Sequence, residues 1–318
     1  MTVSKSQTKT GLASRLVDSI LDIKPLADFA KQQARGMMIK RAESIGVPWR
    51  NNVKQLQLHD WQSELAQIKN PQIDYPEYYL SSFHAYSEGN LNWDAAFELE
   101  SAALAVHAKI WQDAGVKGDS KLRQSYHDVL SKHIQSVTEQ PESSRMSAFP
   151  QHILDLGCGV GLSSFTLKEI YPQAQVTGLD LSPYFLSVAR YRDRERNTNL
   201  KWVHAPAEAT GLPDRSFDLV SACLVFHELP QQAARKIIAE AHRLLKPGGY
   251  FSIMDMNPRS QAFLKMPPYI LTLLKSTEPY LNQYFSLDFE QELLKAGFQS
   301  PTITVNSPRH RTIIGIRR

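Results

Sequence analysis

The sequence predicts an α/β protein: a doubly wound, mostly parallel sheet with a C-terminal antiparallel hairpin, preceded by a helical N-terminal extension. Three observations carry this. After residue 150 short apolar runs alternate with helical patterns, at His152–Leu156, Val176–Asp180, Lys201–His204, Phe217–Cys223 and Tyr250–Asp255. Strands separated by helices of that length pair in parallel through βαβ crossovers. The ending Pro301–Arg317 is β-rich on both sides of Asn306-Ser-Pro308, which reads as a closing hairpin. Before residue 139, by contrast, the periodicity is helical.

That periodicity begins with Leu12, Leu16, Ile20, Ile23, Leu26 and Phe29, spaced three or four residues apart, and Pro25 is expected to divide the run in two. The second helix, Leu26–Ile45, sets Lys31, Arg35, Lys40 and Arg41 among Phe29, Met37, Met38 and Ile39. Such a segment suits either packing on the body or, for residues 12–45, peripheral contact with an anionic membrane. Residues 70–92 read as a structured connection, because Tyr75, Tyr78, Tyr79, Phe83 and Tyr86 are more aromatic surface than a solvated linker needs. A helix is expected from Asn92 or Trp93 to about Trp111, with Asn92 as its cap, and another over Ser120–Thr138. The Ser-, Pro- and Glu-rich Glu139–Pro150 marks a boundary. Residues 1–149 then form the helical extension, placed to act as a substrate cap, and residues 150–318 the sheet domain, with an insertion near 260–285.

The 318 residues carry a net charge of +4, of which residues 1–50 hold +5, so the rest of the chain is slightly acidic. No basic stripe with interleaved aromatics follows, and nucleic acid is not an expected partner. No apolar stretch reaches the roughly 18 residues a membrane span needs. Two cysteines, Cys158 and Cys223, lie in or beside apolar strand-like segments, which points to buried thiols and a reducing, cytoplasmic setting, peripheral to a membrane if residues 12–45 bind one. Met1–Arg15 has no acidic residue, but it lacks the Arg content and apolar core of a targeting signal and reads as a tail.

The decisive segment is Ile153-Leu-Asp-Leu-Gly-Cys-Gly-Val-Gly-Leu-Ser-Ser164. Gly157, Gly159 and Gly161 let a strand turn tightly and a ligand approach the backbone, and the next helix aims its first N–H groups at the same spot. The spacing is G-x-G-x-G. A dinucleotide fingerprint needs its third glycine at position 162, which is Leu. Asp155 before the turn would repel a pyrophosphate, whereas it suits the cationic amino group of a methionine moiety. Asp180 ends the second strand, where an acid can accept hydrogen bonds from both hydroxyls of a ribose; alternatively it caps a helix before Pro183.

Further on, Ala207-Glu-Ala-Thr-Gly-Leu-Pro-Asp-Arg-Ser-Phe-Asp-Leu-Val220 leads into the fourth strand and Leu244-Leu-Lys-Pro-Gly-Gly-Tyr250 into the fifth. Together these motifs resemble the class I S-adenosylmethionine-dependent methyltransferases, in the broad branch containing quinone and sterol C-methyltransferases, over residues 150–257. The resemblance implies a Rossmann-like seven-stranded sheet and S-adenosyl-L-methionine as cofactor. By position it places Asp155, Gly157, Cys158, Gly159 and Gly161 on the methionine part, Asp180 on the ribose and Leu181 against the adenine. Family members often carry Asp before the Ala-Glu pair to meet the adenine amino group; here that residue is Pro206, leaving Ala207 or Glu208 to substitute.

For the methyl acceptor the resemblance implies a site at Val225-Phe-His-Glu-Leu-Pro230. His227 is a candidate general base with a pKa near neutrality, or else a packing residue at the sheet edge. Glu228 is the weaker candidate, and Asp255 a support. The aromatic segment 75–86, with Tyr79, His84 and Tyr86, is expected to form one wall of an acceptor site, and Phe263–Lys275 with Tyr280, Tyr284 and Phe285 an apolar lid opposite. A small hydrophobic or aromatic acceptor fits these walls. The scattered histidines predict no metal site. Two other readings stay open, a nicotinamide-dependent oxidoreductase and a catalytically silent donor-binding module.

Overall fold

The computed structural model describes residues 24–82, 84, 86–139 and 149–318; the expectations for Leu12–Ile23, Phe83 and most of the 139–150 loop lie outside them. A seven-stranded sheet runs in the order β3-β2-β1-β4-β5-β7-β6. Its strands are β1 His152–Leu156, β2 Gln175–Asp180, β3 Lys201–His204, β4 Phe217–Cys223, β5 Leu245–Met256, β6 Thr302–Val305 and β7 His310–Ile316. The first five pair in parallel; β7 is antiparallel to both β5 and β6, so the hairpin extends one edge as expected. The order reverses between β1 and β4, which opens a crevice above their carboxyl ends where α/β sheets bind ligands.

Alternation along the strands sorts the core into two layers. Leu154, Leu156, Val220, Ala222, Phe251 and Ile253 face one side, under Ala234, Ile237, Ile238 and Ala241 of the helix Gln231–Leu244. Ile153, Val176, Leu219, Tyr250 and Met254 face the other. That second face is covered largely by Leu122, Tyr126, Leu130 and Ile134 of the helix Gly118–Thr138, which precedes residue 150. The residues before the boundary thus supply part of the sheet's own covering layer. Tyr126 locks the join, its hydroxyl lying 2.9 Å from Ser221 Oγ and donating to the Ser252 carbonyl at 3.3 Å.

The described helices are numbered in chain order: α1 Lys24–Ser44, α2 Trp49–Gln57, α3 Trp61–Ile68, α4 Trp93–His107, α5 Gly118–Thr138, α6 Leu162–Ile170, α7 Pro183–Arg196, α8 Gln231–Leu244, α9 Gln261–Leu264, α10 Pro268–Thr277, α11 Leu281–Phe285 and α12 Phe289–Lys295. Pro25 stands in the first turn of α1, a position that needs no N–H partner. Asn92 caps α4, accepting from the Ala95 N–H at 2.8 Å. Its helix stops at His107, four residues short of the expectation. In α1, Ile39 and Ala42 are buried with Ala105 of α4, and Arg35 pairs with the buried Glu98. No described helix is long and apolar enough to cross a membrane.

Candidate active site

The glycine loop leaves β1 at the sheet's switch point and enters α6. Gly157, Gly159 and Gly161 have φ of 65°, 55° and 90°, left-handed values that side chains rarely adopt. Gly157 is also enclosed: a Cβ there would lie 2.7 Å from Val225 Cγ2. Below the loop, Asp155 is fully buried on the central strand. Its Oδ2 accepts from the Ser163 and Ser164 hydroxyls of α6, both at 2.6 Å, while its Oδ1 is buried without a partner. Burial drives the Asp155 carboxyl up to about 6, against the two hydroxyls and the Arg123 guanidinium of α5. A buried carboxylate oxygen lacking a partner beneath a left-handed loop fits a cationic amino group from the methionine end of the donor.

Asp180 ends β2 beside the loop. Its Oδ2 accepts from Gly159 N–H at 2.7 Å and its Oδ1 from Ser182 N–H at 2.8 Å, and burial raises it to about 6 despite these donors. Both oxygens keep lone pairs for a ribose. The cap role belongs to Ser182 instead, whose hydroxyl accepts from Phe185 N–H. Cys158 is buried with its thiol pushed well up by burial and the nearby Asp180 and Asp155, so the loop carries it as a neutral thiol. Leu181 is buried and its carbonyl accepts from His204 Nε2 at 3.0 Å. Glu208 accepts from the Tyr78 hydroxyl at 2.6 Å, and Ala207 packs on the sheet's core.

At the end of β4, Leu224 takes φ 61°, a turn costing about 1–2 kcal/mol for a residue with a Cβ. It lays Val225 on Gly157 and starts the single turn Phe226–Glu228. His227 is buried there, its Nδ1 2.8 Å from Asp255 Oδ1, while its backbone N–H donates to Asp255 Oδ2 at 3.1 Å. Burial opposes a charged imidazole, but the Asp255 carboxylate, with Glu278 and Glu228 nearby, outweighs it and raises His227 far above its ordinary value. The near-neutral value expected for a general base is thereby corrected: at neutral pH this ring is an imidazolium held by Asp255.

Two segments distant in sequence close over this floor. Tyr75 and Tyr79 stack with centroids 6.3 Å apart, Tyr78 meets Tyr280 edge-on at 6.2 Å, and burial beside Asp180 and Glu228 lifts Tyr79 well above its usual range. His84 Nε2 lies 3.0 Å from Glu278 Oε1, and its N–H donates to the Thr277 carbonyl. Residues 75–82 and His84 form a strap that meets the insertion there, the two stretches in which a wall and a lid were expected. Tyr86 is turned elsewhere, its hydroxyl donating to Glu98 beside Arg35. In the insertion Leu281 and Tyr284 are buried on the sheet's core rather than in a lid, with the Tyr284 hydroxyl donating to the Met256 carbonyl at 2.6 Å, whereas Leu264 and Ile270 are exposed.

Sequence reasoning missed Ser163, Ser164, Val225, Glu278 and Arg123. The serines were legible, since hydroxyls in the first turn after a glycine loop can reach back to a strand acid. Glu278 and Arg123 carry no local signal. Among the described residues no group of His, Cys, Asp and Glu could hold a metal.

Residues 153–249 match the model of a family described as "Methyltransferase domain". A demethylmenaquinone methyltransferase of Thermus thermophilus is 34% identical over 34% of this chain and 49% of its own length. An uncharacterised methyltransferase of Synechocystis is 34% identical over 46% and 66%, and a ubiquinone biosynthesis O-methyltransferase of Pseudomonas fluorescens 29% over 46% and 62%. The chain thus spans between about half and two thirds of the length of these relatives. In fold, a putative O-methyltransferase of Nostoc punctiforme superposes with a TM-score of 0.51 at 14% identity, over 84% of this chain and 72% of its own. Residues 153–249 thus carry a class I S-adenosylmethionine-dependent methyltransferase domain, related to quinone and O-methyltransferase members of that family. S-adenosylmethionine is its cofactor.

Proposed function

We propose that this chain transfers the methyl group of S-adenosylmethionine to a small hydrophobic or aromatic acceptor seated between the strap of residues 75–82 and His84 and the single turn Phe226–Glu228. The observation that carries the reading is the unpartnered Asp155 Oδ1 beneath a loop of three left-handed glycines at the switch point. When bound, the donor supplies an electrophilic sulfonium methyl. Asp155, Gly157, Cys158, Gly159 and Gly161 hold its methionine end. Asp180 holds the ribose, and Leu181, Ala207 and Glu208 line the adenine side.

For the acceptor, Tyr79 and His84 provide an amphipathic wall. The imidazolium of His227, fixed by Asp255, provides a positive floor on which electron density can build. Positioning and exclusion of water by the strap are what such a displacement needs. Relatives named for demethylmenaquinone and for ubiquinone biosynthesis support an aromatic acceptor. The slight acidity of the chain beyond residue 50 supports a small molecule over nucleic acid. For residues 24–44 the burial of Ile39 and Ala42 supports internal packing over membrane contact.

Calorimetric titration with S-adenosylmethionine, its demethylated product and NAD tests the donor. The first two should bind and NAD should not, and binding of NAD alone would overturn the assignment. Incubation with methyl-labelled donor and a host metabolite extract should then place label in lipophilic small molecules. Label found in tRNA or protein and never in such compounds would refute the acceptor class. Donor binding without turnover on any extract would favour the silent module.

A further inference from the structure

Five of the six carboxylates around the crevice are already committed. Asp155 holds two serine hydroxyls, Asp180 two backbone N–H groups, Asp255 the His227 ring and backbone, Glu278 the His84 ring and Glu208 the Tyr78 hydroxyl. Glu228 is different. It ends the turn that follows β4, its side chain is 27% exposed, and it accepts no hydrogen bond from any described residue. Its nearest charged partner is His227 Nε2, at 4.0 Å.

We propose that Glu228, rather than His227, takes the proton from a hydroxyl-bearing acceptor as the acceptor's oxygen attacks the donor's methyl. The proposal rests on the methyltransferase reading above. In the step, an oxygen lone pair of the acceptor forms the new C–O bond and the methyl–sulfur bond breaks with its electron pair going to sulfur. The O–H proton passes to the Glu228 carboxylate and from there to solvent. Charges balance, since the sulfonium becomes a neutral thioether and the acceptor a neutral ether.

Position and charge both support this. Glu228 ends the turn that leaves β4, 4.0 Å from His227 Nε2, and interacts electrostatically with Asp180 and Glu278 and with the strap's Tyr78, Tyr79 and His84. Burial, with Glu278 and Asp180 acting in the same direction, raises its carboxyl to about 7 although His84 and His227 oppose this. A base is most effective when its pKa lies near the working pH. The His227 imidazolium already carries its proton at neutral pH and cannot take another. Beside it, His84 is also raised, by Glu278 against its burial. The His227 imidazolium favours a developing oxyanion and disfavours an ammonium, so the site selects hydroxyl acceptors over amines.

The test uses the full chain labelled with carbon-13 at glutamate side-chain carboxyls, with Glu228→Gln assigning the signal. In the wild type that signal should titrate at about 7; titration in the ordinary carboxylate range would overturn the proposal. Kinetically, E228Q should bind S-adenosylmethionine as the wild type does and lose roughly 100-fold or more in kcat, with the acidic limb of its pH profile gone. Wild-type turnover and pH profile in E228Q, with donor binding intact, would overturn the proposal alone. Failure of the wild-type chain to bind donor would instead remove the methyltransferase reading. His227→Asn should also lower kcat but keep the acidic limb; loss of that limb in H227N and not in E228Q would return the base to His227.

Discussion

Replacing Gly157 with alanine probes the loop's two constraints at once. The residue has φ 65°, so alanine pays about 1–2 kcal/mol for the left-handed conformation alone. Its Cβ would also lie 2.7 and 3.0 Å from the two γ-methyls of Val225 and 3.4 Å from its Cβ. That neighbour is stiff, being β-branched and held by the strained turn at Leu224, so it cannot swing aside as a long side chain would. Overpacking of this kind costs about 1–3 kcal/mol more. Gly211, with φ 70° and nothing within 4 Å of a built Cβ, isolates the first contribution. We therefore expect urea denaturation to show Gly211→Ala destabilised by about 1–2 kcal/mol and Gly157→Ala by about 2–5 kcal/mol. In a Val225→Ala background the excess should vanish, giving a coupling energy of about 1–3 kcal/mol. Donor affinity should fall in G157A and stay unchanged in G211A. If G157A and G211A cost the same, or if V225A leaves the excess intact, the close contact is not what makes glycine necessary at 157.

Two further outcomes follow from the buried charges. Asp155 and Asp180 are both raised by burial to about 6 from an ordinary value of 3.8, so between those values the folded state binds more protons than the unfolded. The free protein should therefore lose stability as pH rises through that window. The donor's cationic amino group and ribose offset that loss, so the rise in melting temperature on adding S-adenosylmethionine should be larger at pH 7 than at pH 5; an equal or smaller rise at pH 7 would contradict the assignment of these acids. Tyr86→Phe removes a hydroxyl that donates to buried Glu98, leaving that acid with Arg35. Thermal denaturation should show a loss of about 1–2 kcal/mol while calorimetry shows unchanged donor affinity; a selective loss of donor or acceptor binding would instead put Tyr86 in the acceptor wall.

The parallel strands were legible because each is a short apolar run facing a layer of core on both sides, a pattern that depends on local sequence alone. The hairpin and the Asn92 cap were legible for similar reasons, as turn and cap chemistry act over a few residues. The helix from Trp93 was overextended because Ala108 and Ile110 continue its apolar pattern, yet both are buried in the turns that lead to α5. The sequence boundary at residue 150 followed loop composition. Composition could not reveal that α5, lying before that boundary, packs Leu122, Tyr126 and Leu130 on the sheet.

The sequence by itself determined the donor half of the protein, since β1, the glycines, Asp155 and the following serines are contiguous and Asp180 closes the next strand. The proposed acceptor half was decided by tertiary structure. His227 meets Asp255 across two strands, His84 meets Glu278 across nearly two hundred residues, and Glu228 is left uncommitted because its neighbours pair with one another. Protonation states are set by burial and by partners brought together through folding. The same His-Glu dipeptide thus reads as a first and a weaker candidate base in the sequence, and in the folded protein as an imidazolium beside an uncommitted carboxyl.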